Sequence, residues 1–321
     1  MYNCTFIKMN ELMPIEERRN VAYGIVIGLL AFIFVWLYLF CLYALTRREV
    51  RDKSCYKIMI MLAIYDLITL PTTGLVAAYQ SISGVTFCDA PITFYVIGMF
   101  TLGAWMGYTY ATVILALNRV FFTSRIREYF DGTYIYGWLC VPLFFSLYAM
   151  WSFHPAIYTP IVGGYIFNPF TGVLDVGDDH SYDNPQHTVS NFAFIMGLPS
   201  IYLYFYLKNK YFLKKGMSAG NSTGNTERER SLFIQCVLLS SLVCAATVGY
   251  TLMQIMPVPT WYICLSHFLW VVMQGCPPII FLTMNKTIRN ILWRSISPKN
   301  LSTVGPASNS HGSTAKVSIR K

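Results

Sequence analysis

The chain has 321 residues, of which 55% are apolar by type, 16% aromatic and only 12% charged. A soluble domain carries about a quarter charged residues, so this composition excludes an ordinary water-soluble enzyme. The formal net charge of +9 would point to nucleic acid in a soluble protein. Here the apolar residues fall in long blocks, and in a membrane protein an excess of Lys and Arg reports orientation, because it collects on the cytoplasmic side. The expected partner is the lipid bilayer and not nucleic acid.

Residues 1–20 are polar, with no apolar core ahead of a small-residue cleavage site, so no signal peptide is expected and the first span acts as the signal anchor. Asn3-Cys4-Thr5 is a glycosylation sequon in this segment. Matching triplets at Asn221 and Asn285 fall on the opposite side, which leaves Asn3 as the candidate. About 20 helical residues cross the roughly 30 Å hydrocarbon core. Uncharged stretches of that length lie at 21–45, 58–79, 92–117, 133–152, 188–207, 232–255 and 260–284. Six of the seven contain no Asp, Glu, Lys or Arg, and the second contains Asp66 alone. Pro142 and Pro199 interrupt the fourth and fifth, which is tolerated where neighbours satisfy the freed carbonyls.

The connections test this count. The first, third and fifth connections and the tail hold 21 of the 24 Lys and Arg, and the other three hold none. The long connection at 153–187 carries Asp175, Asp178, Asp179 and Asp183 instead. The N-terminus is therefore expected outside and the tail in the cytosol. Arg18 and Arg19 oppose this, but Glu16 and Glu17 adjoin them and the first inner connection has five bases. Residues 216–226 read as a flexible linker. After the seventh span, Ile288, Ile291, Leu292 and Ile296 recur at helical spacing among Lys286, Arg289 and Arg294, which suits a short helix on the inner leaflet. The fold class is an all-α membrane protein, a seven-helix transmembrane bundle with an extracellular N-terminus and a short cytoplasmic helix after the seventh span. The domains are an outer segment 1–20, a membrane domain with its juxtamembrane helix at 21–296, and a Ser/Thr-rich disordered tail at 297–321.

An acidic group inside a membrane is expensive and faces the bundle interior. Asp66 is eight residues from the inner edge of its span, about 12 Å deep. It serves either as a polar hub that shifts between two helix arrangements or as a neutral acid bonded to a neighbouring Ser or Thr. Asn118-Arg119 closes the third span at the cytosol, where the Arg either exchanges partners between states or snorkels to anchor the helix end. Pro277 and Pro278 remove ladder hydrogen bonds from the seventh span and should kink or unwind it. Of nine cysteines, Cys4 and Cys88 fall on the oxidising side, with Cys264 just inside the seventh span. Cys4 and Cys88 either pair or stay free. The spacing offers no metal site or redox motif, and no nucleophile elbow, zincin helix or phosphate loop occurs, so neither enzymatic activity nor a cofactor is expected. The outer halves of the third, sixth and seventh spans supply Tyr95, Met99, Leu102, Trp105, Tyr250, Gln254, Trp261, His267, Trp270 and Gln274. Such an aromatic set either lines a small-molecule pocket or packs helices together. Only His267 among the histidines is placed within a span.

Seven spans with Asp66 in the second, Asn118-Arg119 ending the third, Pro199 in the fifth and Pro277-Pro278 three residues before Phe281 resemble a G-protein-coupled receptor. The chain is more closely similar to the nematode serpentine chemoreceptors, serpentine receptor class T. The resemblance rests on Tyr2-Asn3-Cys4-Thr5, Ser54-Cys55-Tyr56-Lys57-Ile58-Met59, Leu115-Ala116-Leu117-Asn118-Arg119 and Phe167-Asn168-Pro169, and it covers residues 1–296. It implies a multi-pass protein of the plasma membrane of sensory neurons and their cilia. Such a receptor takes a chemical ligand among residues such as Tyr95, Met99, Trp105, Tyr250, Gln254, His267, Trp270 and Gln274. Asp66, Pro277 and Pro278 would belong to its switch, and Asn118 and Arg119 would meet a heterotrimeric G protein. The chain departs from rhodopsin-like receptors in several ways. No acidic residue precedes Arg119, the 153–187 loop has no cysteine, the sixth span has no internal proline and the seventh has no lysine. A seven-span ligand-gated channel or transporter is the alternative, and the location of one terminus discriminates it from channels of inverted orientation.

Overall fold

The computed structural model describes residues 2, 4–5, 9–122, 125–173, 180–214 and 223–296. The sequon residue Asn3, the aspartates at 175, 178 and 179, linker residues 216–222 and the tail 297–321 lie outside the described residues. Seven helices are long and apolar enough to cross a membrane: Val21–Leu45, Ser54–Ser83, Pro91–Val120, Tyr134–Ser152, Pro185–Leu207, Arg230–Ile255 and Thr260–Met284. The second, third and fifth run past the apolar limits read from sequence, because polar helix ends carry no hydropathy signal. The helix of the sixth span begins at Thr223, inside the expected linker, where the Glu and Arg that follow are good helix formers.

The third span is the most buried of the seven and the fifth the least. A continuous core around the third joins Tyr38 of the first span, Met59 of the second, Met106 of the third and Phe281 of the seventh. Large apolar side chains such as Phe32, Trp36, Phe144, Leu147 and Trp151 stay exposed on the outer faces, as they must in a bundle whose solvent is hydrocarbon. The first and second spans touch closely at Gly74, where any Cβ would overlap the methyl of Ala31.

Three local features depart from the sequence reading. The second span is α-helical over Ser54–Leu70, forms a π turn over Pro71–Val76, and resumes as α-helix over Ala77–Ser83. By contrast the seventh helix is assigned unbroken through Pro277 and Pro278, so the expected unwinding is absent. The loop between the fourth and fifth spans holds an antiparallel hairpin of β1, Ile157–Thr159, and β2, Gly164–Ile166, with Tyr158 opposite Tyr165. Its turn needs Gly163 at φ +66°, a left-handed conformation that glycine adopts without steric cost.

At the other end, Asn285 Oδ1 accepts from the amides of Thr287 and Ile288 at 3.1 and 3.2 Å. This N-cap starts the short helix Lys286–Ile296. Ile288, Ile291 and Leu292 of that helix are buried and contact the first and seventh spans, so the face expected on lipid packs on the bundle. Trp293 is exposed instead.

Candidate functional site: an aromatic chamber under a pinned lid

The end of the bundle that bears the N-terminal segment, outer by the charge rule, holds a cavity of about 670 Å³ between the fifth and sixth spans and the hairpin loop. Its walls include Phe167, Tyr182, Thr188, Phe192, Tyr250 and Gln254. A chamber of about 30 Å³ adjoins it, lined by Leu102, Trp105, Phe167, His187, Tyr250 and Trp270 among others. The two share Tyr165, Ile166, Phe167 and Tyr250. Around the chamber the rings meet edge to face, the arrangement favoured by aromatic quadrupoles. Trp270 lies 5.5 Å from Trp105, 5.1 Å from Tyr250 and 5.6 Å from Tyr165.

One wall is polar. Gln254 Nε2 donates to His187 Nδ1 at 2.8 Å, and the Thr188 hydroxyl donates to Gln254 Oε1. Both ends of the Gln254 amide are thereby fixed between the fifth and sixth spans. His187 lies within the fifth helix, two residues after Pro185, and not in the preceding loop where the sequence reading put it. The backbone amide of His187 donates to Asn184 Oδ1 at 3.3 Å, which is helix capping with Pro at the first helical position.

A lid covers this end. Cys4 and Cys88 form a disulfide, which ties the N-terminal segment to the first outer loop. The Tyr2 ring packs against Phe87, Tyr95 and Tyr182, and its hydroxyl donates to the Phe167 carbonyl at 3.3 Å. Buried Arg18 lies 3.7 Å from Asp89, whose carboxylate also accepts from the Thr86 amide at 2.7 Å. Burial pushes the phenol pKa of Tyr2, Tyr158 and Tyr165 upward, so all three stay neutral phenols.

Beneath the hairpin the second and seventh spans are stitched together. The His267 ring contacts the Tyr23 hydroxyl through Nδ1 at 2.7 Å and the Thr73 carbonyl through Nε2 at 2.9 Å. Since a carbonyl only accepts, Nε2 carries the proton and Tyr23 donates to Nδ1. The Thr73 hydroxyl donates to Gln274 Oε1 at 2.9 Å, and the Tyr165 hydroxyl donates to the Thr72 carbonyl at 2.9 Å. Thr72 and Thr73 belong to the π turn. Two turns deeper, Tyr38 donates to Asp66 Oδ2, while Asp66 Oδ1 has no partner among the described residues. The partner of Asp66 is thus a tyrosine, and not the Ser or Thr that one of its two readings offered.

The eight residues expected to bind ligand therefore separate. Trp105, Tyr250, Gln254 and Trp270 line the cavities. His267 and Gln274 do not; they are buried and bonded to the π turn. Tyr95 belongs to the lid cluster, and half-buried Met99 lines neither cavity. Sequence reasoning missed Tyr165, Phe167 and His187.

At the inner end a cavity of about 380 Å³ is lined by Lys53, Ser54, Arg119, Phe122, Arg127 and Asp131 among others. Arg119 Nε and Nη2 donate to Asn118 Oδ1 at 3.0 and 2.6 Å. Asn118 Nδ2 donates to Ser54 Oγ at 3.2 Å, and Ser54 donates to Asp131 Oδ1 at 3.3 Å. Arg127 closes the chain on Asp131 Oδ2 at 3.1 Å. Arg119 is buried, with its guanidinium 5.0 Å from the Phe122 ring centre, and so does not snorkel to water. No cluster of metal-ligating side chains occurs among the described residues.

The comparisons agree with this architecture. The crystal structure of squid rhodopsin superposes with a TM-score of 0.67 at 13% identity, covering 86% of this chain and 84% of that one, which establishes the seven-helix transmembrane fold. Serpentine receptor class T-55 of Caenorhabditis elegans is 18% identical over 300 residues, or 90% of this chain and 78% of that protein. The family described as serpentine type 7TM GPCR chemoreceptor Srt matches residues 1–304, and this multi-pass membrane protein belongs to it.

Proposed function

We propose that the chain is a non-enzymatic chemosensory receptor that binds a small molecule in the outer cavity and signals to a heterotrimeric G protein at its inner end. Residues 1–20 would lie outside the cell and the tail 297–321 in the cytosol, in the plasma membrane of sensory neurons and their cilia. The observation that carries this reading is the pair of adjoining cavities under the lid, one of whose four shared residues, Tyr165, bonds the π turn of the second span. A ligand that displaces Tyr165 alters the contact between hairpin and second span, and it shifts the receptor only by its differential affinity for the two packings. Asp66, Pro277 and Pro278 are the deeper elements of that switch. Asn118 and Arg119 are its output, where Arg119 bonds Asn118 and Asn118 bonds Ser54 beside the inner cavity. Asn3 is proposed to be glycosylated.

The test is expression in a cell line with a second-messenger reporter and a screen of volatile and water-soluble compounds. A wild-type response that Arg119→Ala abolishes at unchanged surface expression is the expected outcome. An undiminished response in that variant removes Arg119 from coupling.

A further inference from the structure

The third span ends in Asn118-Arg119 with no acidic residue ahead of the Arg, yet a carboxylate reaches this pair from the connection that follows. Arg119 Nε and Nη2 donate to Asn118 Oδ1, Asn118 Nδ2 donates to Ser54 Oγ, and Ser54 Oγ donates to Asp131 Oδ1. Every proton in this chain points the same way, from guanidinium to carboxylate. A hydroxyl has one proton, and Ser54, whose oxygen accepts from Asn118, gives it to Asp131 and so joins the two halves. Bonds that run in one sense polarise one another. The charge of buried Arg119 and that of Asp131 therefore meet through two neutral side chains.

These residues come from three elements. Ser54 opens the helix of the second span, Asn118 and Arg119 close that of the third, and Asp131 follows the short turn Arg125–Phe130. That turn is itself anchored. Phe130 is buried and stacks on Trp138 of the fourth span with ring centres 4.8 Å apart, and Trp138 Nε1 donates to the Tyr129 carbonyl at 2.9 Å. Arg127 holds the second oxygen of Asp131, and its guanidinium lies 4.4 Å from the centre of the Phe122 ring, which Arg119 also approaches. Ser54, Arg119, Arg127 and Asp131 all line the inner cavity, as does Leu232 at the start of the sixth span. The link between Ser54 and Asp131 is the longest of the chain at 3.3 Å. With the Asp131 side chain 46% exposed, water competes there, and an exposed polar contact is weak.

Resting on the reading of Asn118 and Arg119 as the output, we propose that Ser54 and Asp131 are positioning residues that hold Arg119 in the unliganded arrangement. They form an autoinhibitory latch in which the third connection supplies the acid that the third span lacks. Parting of Ser54 from Asp131 lets Asn118 turn and delivers Arg119 to a partner in the inner cavity.

The experiment compares the full chain with Ser54→Ala, Asp131→Ala, the double variant, and Ser54→Thr, which keeps the hydroxyl. One arm uses lipid nanodiscs without G protein and follows alkylation of Cys55 by a small maleimide, resolved from the other thiols by peptide mass mapping. Cys55 adjoins Ser54, lines the inner cavity and is 2% exposed. The other arm reads the basal second-messenger level of ligand-free cells, normalised to surface expression. Loss of one hydrogen bond between elements shifts a two-state equilibrium about fivefold. Ser54→Ala and Asp131→Ala should each raise both readouts about fivefold, the double variant should rise no further than either, and Ser54→Thr should match wild type. A merely structural role would lower surface expression without raising the signal per receptor. Asp131→Ala keeps the test decisive if Ser54→Ala fails to fold by thermal melting. Unchanged alkylation in the alanine variants would overturn the latch, as would multiplying gains in the double variant. Faster alkylation with a flat basal signal, in a receptor that responds to some compound, would overturn autoinhibition and leave the receptor reading intact. If no form signals to any compound, the receptor reading fails by itself, and the alkylation rates alone support or overturn the latch.

Discussion

The second and seventh spans both carry proline deep in the bundle and accommodate it differently. Pro71 opens a π turn over Pro71–Val76, whereas Pro277 and Pro278 lie in an α-helix that runs unbroken from Thr260 to Met284. Proline removes one N–H in either place. What differs is what meets the backbone from outside: in the second span the Thr72 and Thr73 carbonyls are taken by Tyr165 and His267. In the seventh, the nearest such contact to the prolines is the weak donor Cys41 Sγ, 3.7 Å from the Pro278 carbonyl. A wide turn persists where distant side chains satisfy it, so irregularity here is a tertiary property more than a property of proline.

Three substitutions press on that contrast. The largest effect is expected for His267→Ala, which takes a donor from the Thr73 carbonyl, leaves the Tyr23 hydroxyl only the Cys264 carbonyl at 3.2 Å and opens a cavity, at a cost of about 3 kcal/mol. Thermal melting in detergent reads it, and an unaltered melt would mean that Pro71 alone maintains the π turn. Gly74→Val should cost about 2 kcal/mol by forcing the first span off the second, with Ala31→Gly restoring part of the loss. Independent, additive losses in that pair would show that the two positions do not touch in the folded protein. Smallest is Pro277→Ala, which returns an N–H to a helix already continuous and should change stability by about 1 kcal/mol or less. A loss as large as that of Pro71→Ala measured alongside would erase the distinction between the two spans.

The seven spans were legible because lipid demands long uncharged runs and because Lys and Arg mark alternate connections. The cystine was only half legible: Cys4 and Cys88 stood out as the outward-facing pair, but their joining required the lid to fold over Phe87 and Tyr182. The π turn left no trace in hydropathy, since a helix buried on several sides has no clear apolar stripe to shift. The hairpin escaped notice because each strand has three residues, although Gly163-Gly164 between Ile/Tyr-rich flanks is a turn signal in hindsight. His187 was misplaced although Asn184-Pro185 before it is a recognisable helix start. Of the aromatic set, Trp105, Tyr250 and Trp270 fall on the cavity walls, and pockets and cores draw on the same residues. That ambiguity also drew in His267 and Gln274, whose polar atoms serve the π turn.

Val189 and Phe192 line the larger cavity while their side chains remain 68% and 45% exposed on the flank of the bundle. That flank belongs to a membrane span, so for the proposed receptor the bilayer would be a reservoir of any oily ligand. Its concentration there exceeds that in the surrounding fluid by its oil–water partition coefficient, which grows severalfold with each methylene. Dose–response curves plotted against aqueous concentration therefore fold partitioning into apparent potency. Homologous compounds will rank by chain length until lipid content is held fixed, and their order at a fixed mole fraction in the bilayer is the one that reports on the protein.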